Sequence, residues 1–287
     1  MTTERGQRLD LGGVCVELDG RIGTLRLLRP PANAIDGELL RDLRRGLDAL
    51  EQGGVDGYVF AGRPGLFSAG LDLPALLQLD AAEMSLFWNQ FFATFLRLYR
   101  SPLCAVAAID GHAPAGGTVL ALTADHRLMA RGNFRMGLNE VAVGLAVPAF
   151  LCHVVSHLLG QRAAERVLTQ GLLLDPDEAL RIGFVDGLVD PAPEANLPPP
   201  ATAATSSEPP SPRPVEVAAL AELSRRLAAP ERARRQTKRA LRAPIADAIE
   251  AGFVRESEAF LDFWFEPECQ SQLRAVVARL GRGRQGG

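Results

Sequence analysis

Apolar positions recur along this chain with two periods. Residues 14–18 and 22–28 are short β-rich runs split by the turn Asp19-Gly20, and 55–61 and 103–109 are nearly continuous apolar runs of strand length. Between them the period lengthens. Leu39, Leu40, Leu43, Leu47 and Leu50 share one face of a helix expected over 37–52, which Gly53-Gly54 stops. An apolar helix is expected over 83–99, broken by Ser101-Pro102. A loop at 110–117 leads into a helix from near Gly116 to Ala124, then a strand at 125–130 and helices near 148–159, 161–170 and 176–181. Repeated strand-then-helix units predict an α/β fold, with sheets covered by helices.

The pattern changes at Ala192. Residues 192–214 are rich in Pro, Ala and Ser and nearly lack large apolar side chains, which predicts a disordered or extended linker. Residues 215–283 read as a helical region, broken near Pro230 and Pro244, with a second apolar cluster at Phe260, Phe263, Trp264 and Phe265. The chain therefore divides into an α/β core over 11–191, a linker and a helical C-terminal region.

Composition adds mainly exclusions. The 287 residues are 47% hydrophobic and 23% charged, the balance of a globular protein with a sizeable core. A net charge of −3 gives no global attraction to nucleic acid or to an acidic membrane. Gly, Pro or charge interrupts every 18-residue apolar window, so no membrane span is expected. Cys15, Cys104, Cys152 and Cys269 are far apart and form no C-x-x-C pair, which argues against a disulfide framework or a zinc site and fits a reducing compartment. Residues 1–10 are polar, without the apolar stretch of a secretory signal, and the chain does not end in S-K-L. These features leave the compartment open: cytoplasmic for a bacterial protein, with the mitochondrial matrix a further choice for a eukaryotic one.

Three segments carry candidate chemistry. The first is the loop Gly65-Leu-Phe-Ser-Ala-Gly-Leu-Asp-Leu73, which follows a buried strand. The second, Ile109-Asp-Gly-His-Ala-Pro-Ala-Gly-Gly-Thr118, enters a helix. Small residues let a ligand atom approach the backbone, and a Gly-Gly pair at a helix start leaves N–H groups pointing outward. One such N–H from each loop can hold a developing oxyanion. Either loop alone reads first as a tight turn. The glycines do not make a dinucleotide fingerprint, because G-x-G-x-x-G is absent. The third segment, Met136-Gly-Leu-Asn-Glu-Val-Ala-Val-Gly-Leu145, sets Glu140 among apolar neighbours, where partial burial raises a carboxyl pKa and makes a usable base. The competing reading is a surface or helix-capping glutamate.

In this order, FSAGLDL, AIDGHAPAGGTVLALTADHRLMA and GLNEVAVGL resemble the crotonase (enoyl-CoA hydratase/isomerase) superfamily, and among its members the mitochondrial-type Δ3,Δ2-enoyl-CoA isomerases. The likeness runs over about 20–190 and includes NAID at Asn33 and GQRAAERVLTQGLLLDPDEALRIGFVD. It implies a crotonase-like core of ββα units in a superhelix with a helical C-terminal region, assembled as a trimer or a dimer of trimers. It also implies an acyl-CoA substrate. No separate cofactor, metal, nucleic acid or membrane is implied, coenzyme A being part of the substrate. By position, the resemblance implies that the backbone N–H groups of Leu71 and Gly116 form an oxyanion hole. Ala69, Gly70, Asp72, Leu73 and Gly117 would line the substrate site, and Glu140 would be the acid/base. The superfamily's hydratases carry a second glutamate after the glycines, where this chain has Val119. Adding water needs a second group to hold it; a 1,3-proton shift needs one movable proton. The expectation is therefore a Δ3,Δ2-enoyl-CoA isomerase of fatty-acid β-oxidation. The alternatives are another acyl-CoA reaction such as hydration, or a non-catalytic binding protein on the same fold.

Other candidates read as structural. His153 and His157 have a helical metal spacing but no H-E-x-x-H pattern. His112 lies beside the glycines, and Asp125 reads as a structural hydrogen-bonding residue at a strand start. Trp88, Phe91, Phe92 and Phe95 are expected in the core, although the resemblance also places them near an acyl pocket. The Arg-rich stretch 232–242 reads as a solvated face, with a contact to a coenzyme A phosphate as its functional alternative.

Overall fold

A computed structural model describes residues 6–191 and 212–283. Its main sheet has seven strands in the order β1-β2-β3-β4-β6-β8-β10. β1 (Gln7–Asp10), β2 (Val14–Asp19) and β3 (Ile22–Leu27) pair antiparallel. From β3 the sheet is parallel through β4 (Gly57–Ala61), β6 (Cys104–Ile109), β8 (His126–Ala130) and β10 (Gly187–Val189). Its central strands are apolar on both sides because helices cover both faces. Tyr58 and Phe60 pack into one core, which includes Leu39, Leu43 and Leu47 of α1 (Gly37–Gln52) and Phe95 of α3 (Ala81–Arg100). Their neighbours Val59 and Ala61 face a second core with Val215, Ala219 and Leu223 of α8 (Pro214–Leu227).

Residues 192–211 lie outside those described, so the expected linker falls almost wholly there. The chain beyond it returns to the sheet. α8 is held by a buried ion pair, with Arg26 Nη1 donating to Glu216 Oε1 at 2.6 Å, as well as by its apolar face.

The break expected at Pro244 does not occur. α9 runs unbroken from Glu231 to Trp264 with Pro244 inside it. Proline removes one helical hydrogen bond at a cost of about 3 kcal/mol. Contacts on both sides hold the helix through that loss. Arg242 donates to the carbonyls of Tyr99, Thr123 and Ala124, while Ile249, Phe253 and Phe260 are buried. The solvated-face reading of 232–242 holds at most of its positions but needs correction at Lys238 and Arg242. Lys238 donates to Asp125 Oδ2 at 2.7 Å and Arg242 lies 2.9 Å from Asp125 Oδ1.

A second, three-stranded parallel sheet sits at the C-terminal ends of the main strands, in the order β5 (Gly65–Leu66), β7 (Gly111–Pro114), β9 (Met136–Gly137). Each of its strands comes from one of the three candidate segments. The stretch 110–117, expected as a loop, is thus partly strand, and that pairing brings distant segments side by side.

Candidate active site

The first two loops meet at their glycines. Gly70 has φ +86°, and a Cβ there would sit 3.0 Å from Gly116 N. A Cβ on Gly116 would lie 3.3 Å from Leu71 N, and one on Gly117 only 2.5 Å from Ser68 O. Side chains at these positions would force the loops apart. Ser68 pins the first loop by donating to Asn33 O at 2.7 Å and accepting from Gly70 N at 3.1 Å. Ala69 N donates to Ala32 O.

Two backbone donors have no backbone partner among the described residues where the loops meet. The N–H of Leu71 is passed over, because Ile35 N bonds to Gly70 O and Asp72 N to Ile35 O. Gly116 opens α4 (Gly116–Ala121), where the first N–H groups have no carbonyl within the helix. The chain enters α4 through Ala115 at φ +47°, a region that costs a non-glycine residue about 1–3 kcal/mol. Among the described residues, Ala115 and Asn33 are the non-glycine positions with positive φ, and both border this junction.

The third segment is tied to the same point. Ala115 N donates to Gly137 O at 2.7 Å, and Gly137 N donates to Thr118 Oγ1 at 2.8 Å. Three residues on, Glu140 precedes a single 3-10 turn, Val141–Val143, which ends at Gly144 with φ +82°. Glu140 is 8% exposed, and its Oε2 has no hydrogen-bond partner among the described residues. Burial pushes its pKa up to about 7, and only a hydrogen bond to its own backbone pulls the other way. A carboxyl group in this state can hold or release a proton near neutral pH.

Other expected residues are placed less directly. Asp72 accepts from Ala75 N and caps α2 (Leu73–Leu76), so its carboxylate serves the helix that Leu73 opens. His112 Nδ1 accepts from Arg135 N, and burial with the nearby Arg135 charge lowers its pKa. Asp110 is buried against Arg213, and burial raises its pKa to about 6. His153 and His157 are exposed. Trp88 and Phe92 are buried under α9, stacked on Phe260 at 3.8 Å and Phe253 at 3.6 Å between ring centroids. Val119 is fully buried in α4.

Sequence reasoning gave Asn33 and Thr118 no role, yet both are fully buried and join the loops. Asn33 Nδ2 donates to Phe67 O, and Thr118 Oγ1 donates to Ala113 O. Asn33 carried one usable signal, since asparagine tolerates left-handed backbone better than most residues.

Residues 17–200 match the family model described as enoyl-CoA hydratase/isomerase, and the chain belongs to that family. It is an enzyme of the crotonase type, and its fold is the crotonase fold with a helical C-terminal region. It is 34% identical over 272 residues to the mitochondrial enoyl-CoA delta isomerase 1 of Homo sapiens, covering 93% of this chain and 83% of that protein. The crystal structure of human mitochondrial Δ3,Δ2-enoyl-CoA isomerase superposes with a TM-score of 0.81 at 31% identity, over 99% of this chain and 100% of that one. An enoyl-CoA hydratase from Mycobacterium ulcerans also superposes, with a TM-score of 0.73 at 26% identity, over 87% and 99% of the two chains.

Proposed function

We propose that this protein is a Δ3,Δ2-enoyl-CoA isomerase of fatty-acid oxidation, with Glu140 as its single proton shuttle. The observation that carries the reading is the state of Glu140: a buried carboxyl group with a pKa of about 7 and an oxygen unpartnered among the described residues, three residues beyond Gly137, which is bonded to Ala115 at the junction of the two loops. Glu140 removes a C2 proton from a 3-enoyl-CoA. The N–H groups of Leu71 and Gly116 hold the thioester oxygen of the resulting dienolate, each contributing about 3 kcal/mol. Glu140 then returns the proton to C4, which gives the 2-trans-enoyl-CoA. Ala69, Gly70, Asp72, Leu73 and Gly117 form the substrate-lining part of the two loops in this reading. The enzyme works as a trimer or a dimer of trimers, which sedimentation velocity tests.

The similarity to both isomerases and hydratases makes hydration the competing reaction. Val119 supports isomerisation, because the resemblance places the hydratases' second glutamate there. The test measures 3-cis- and 3-trans-enoyl-CoA isomerisation beside crotonyl-CoA hydration, in wild type and Glu140→Gln. Isomerisation should exceed hydration and fall roughly 10²–10⁴-fold in the variant, the usual range for a lost acid/base. Dominant hydration would make this a hydratase. No turnover of either substrate would make it a binding protein.

A further inference from the structure

A second concentration of charge lies at the other end of the parallel sheet. A cavity of about 690 Å³ opens there, lined in part by Asp125, Arg225, Arg226, Arg234, Lys238 and Arg242. Cys104, the first residue of β6, and Asp125, just before β8, place it at the N-terminal ends of these strands. The glycine loops follow the C-terminal end of β6. Five strand steps separate the two ends, about 16 Å.

The carboxylates around this cavity are already committed. Asp125 serves Lys238 and Arg242. Glu222 takes Arg225 at 2.7 Å and Arg226 at 2.6 Å. Asp186 takes Arg127 at 3.0 Å. Arg234 has none: its Nε, Nη1 and Nη2 are all buried, and none has a hydrogen-bond partner among the described residues. A buried guanidinium with a full set of unmet donors is a costly arrangement unless an anion answers it. The surplus of cations also shows on Lys238, whose pKa is lowered to about 8 by burial, with Arg242 adding to that effect and Asp125 opposing it.

We propose that this cavity binds a small phosphoryl oxyanion, with the Arg234 guanidinium as its principal ligand and Arg226 and Lys238 beside it. A guanidinium fork matches two oxygens of one phosphoryl group, and several converging cations favour a multiply charged anion over a single carboxylate. The site is separate from the acyl-CoA site proposed above and does not depend on which reaction Glu140 performs.

The test uses the full-length protein and inorganic pyrophosphate, against sodium chloride at matched ionic strength. Calorimetric titration should show saturable binding to the wild type, weakened at least tenfold in Arg234→Gln and partly retained in Arg234→Lys. Thermal unfolding gives a second readout. Without the anion, Arg234→Gln should unfold at a higher temperature than the wild type, because an unanswered buried charge is gone; with pyrophosphate that order should reverse. Equal responses of wild type and Arg234→Gln would overturn the proposal, as would a lower unfolding temperature of the variant without anion. Competition between pyrophosphate and acyl-CoA, with a raised KM in Arg234→Gln, would overturn it by making this part of the substrate site. Dissociation of an oligomer by pyrophosphate would overturn it by showing that a neighbouring chain fills the cavity.

Discussion

Two carboxyl groups, the largely shielded Asp125 and the buried Glu140, stand at opposite ends of the parallel sheet, and they are prepared for opposite tasks. Burial acts to raise the pKa of both. At Asp125 that push is overcome: Arg242, Lys238 and the N–H of Ala105 hold the carboxyl below its usual value. At Glu140 nothing comparable opposes it, and the pKa climbs to about 7. Burial alone therefore does not make an acid/base group. What decides is whether the fold supplies cations and donors. The pairing at Asp125 fastens α9 to the sheet, whereas Glu140 is left able to take up and release a proton near neutral pH.

The comparison can be broken most forcefully at Asp125. Asp125→Ala leaves Lys238 and Arg242 buried without their shared carboxylate, and removing one partner from such a cluster costs about 3–5 kcal/mol. Urea unfolding should show that loss, whereas Glu140→Gln should cost nothing in the same experiment at pH 8. Next in size is Gly117→Ala. Its Cβ would meet Ser68 O, so the loops must separate and the Leu71 and Gly116 donors lose their common focus. On the proposed function, isomerase kcat should then fall by roughly 10²–10³, the effect of losing one oxyanion donor.

The smallest effect is on the pH dependence of stability. A carboxyl whose pKa rises on folding holds its proton in the native state while the unfolded chain has already released it. Stability from this group therefore falls as pH rises from its ordinary value near 4.5 to about 7, and the full cost is present above that. The difference amounts to as much as about 3 kcal/mol. Glu140→Gln should thus match the wild type near pH 4, below the ordinary value, and exceed its stability at pH 8. A stability gap independent of pH would show that Glu140 resembles an ordinary surface glutamate.

The contrast between the two carboxyl groups was only half legible in the sequence. Helical spacing of Leu39, Leu43 and Leu47 predicted α1 over its observed span, and the apolar runs gave the central strands. The neighbours of Glu140 suggested its burial, since they are local. The small sheet was not legible, because Gly65–Leu66 and Met136–Gly137 are too short to show a period, and their pairing joins residues far apart in the chain. Asp125 was read as structural, but its partners Lys238 and Arg242 lie over a hundred residues away, in a stretch whose composition suggested solvent. The continuous helix through Pro244 was hidden for the same reason: tertiary contacts, not propensity, hold it.

The central claim is that Glu140, whose Oε2 has no partner among the described residues, titrates near neutral pH. Difference infrared spectroscopy of the protonated carboxyl stretch, in wild type and Glu140→Gln, measures this directly. The account predicts one carboxyl band that titrates at about pH 7 in the wild type and is absent from the variant. A wild-type spectrum that matches the Glu140→Gln spectrum at every pH above about 5, with only Asp110 titrating there, would contradict it.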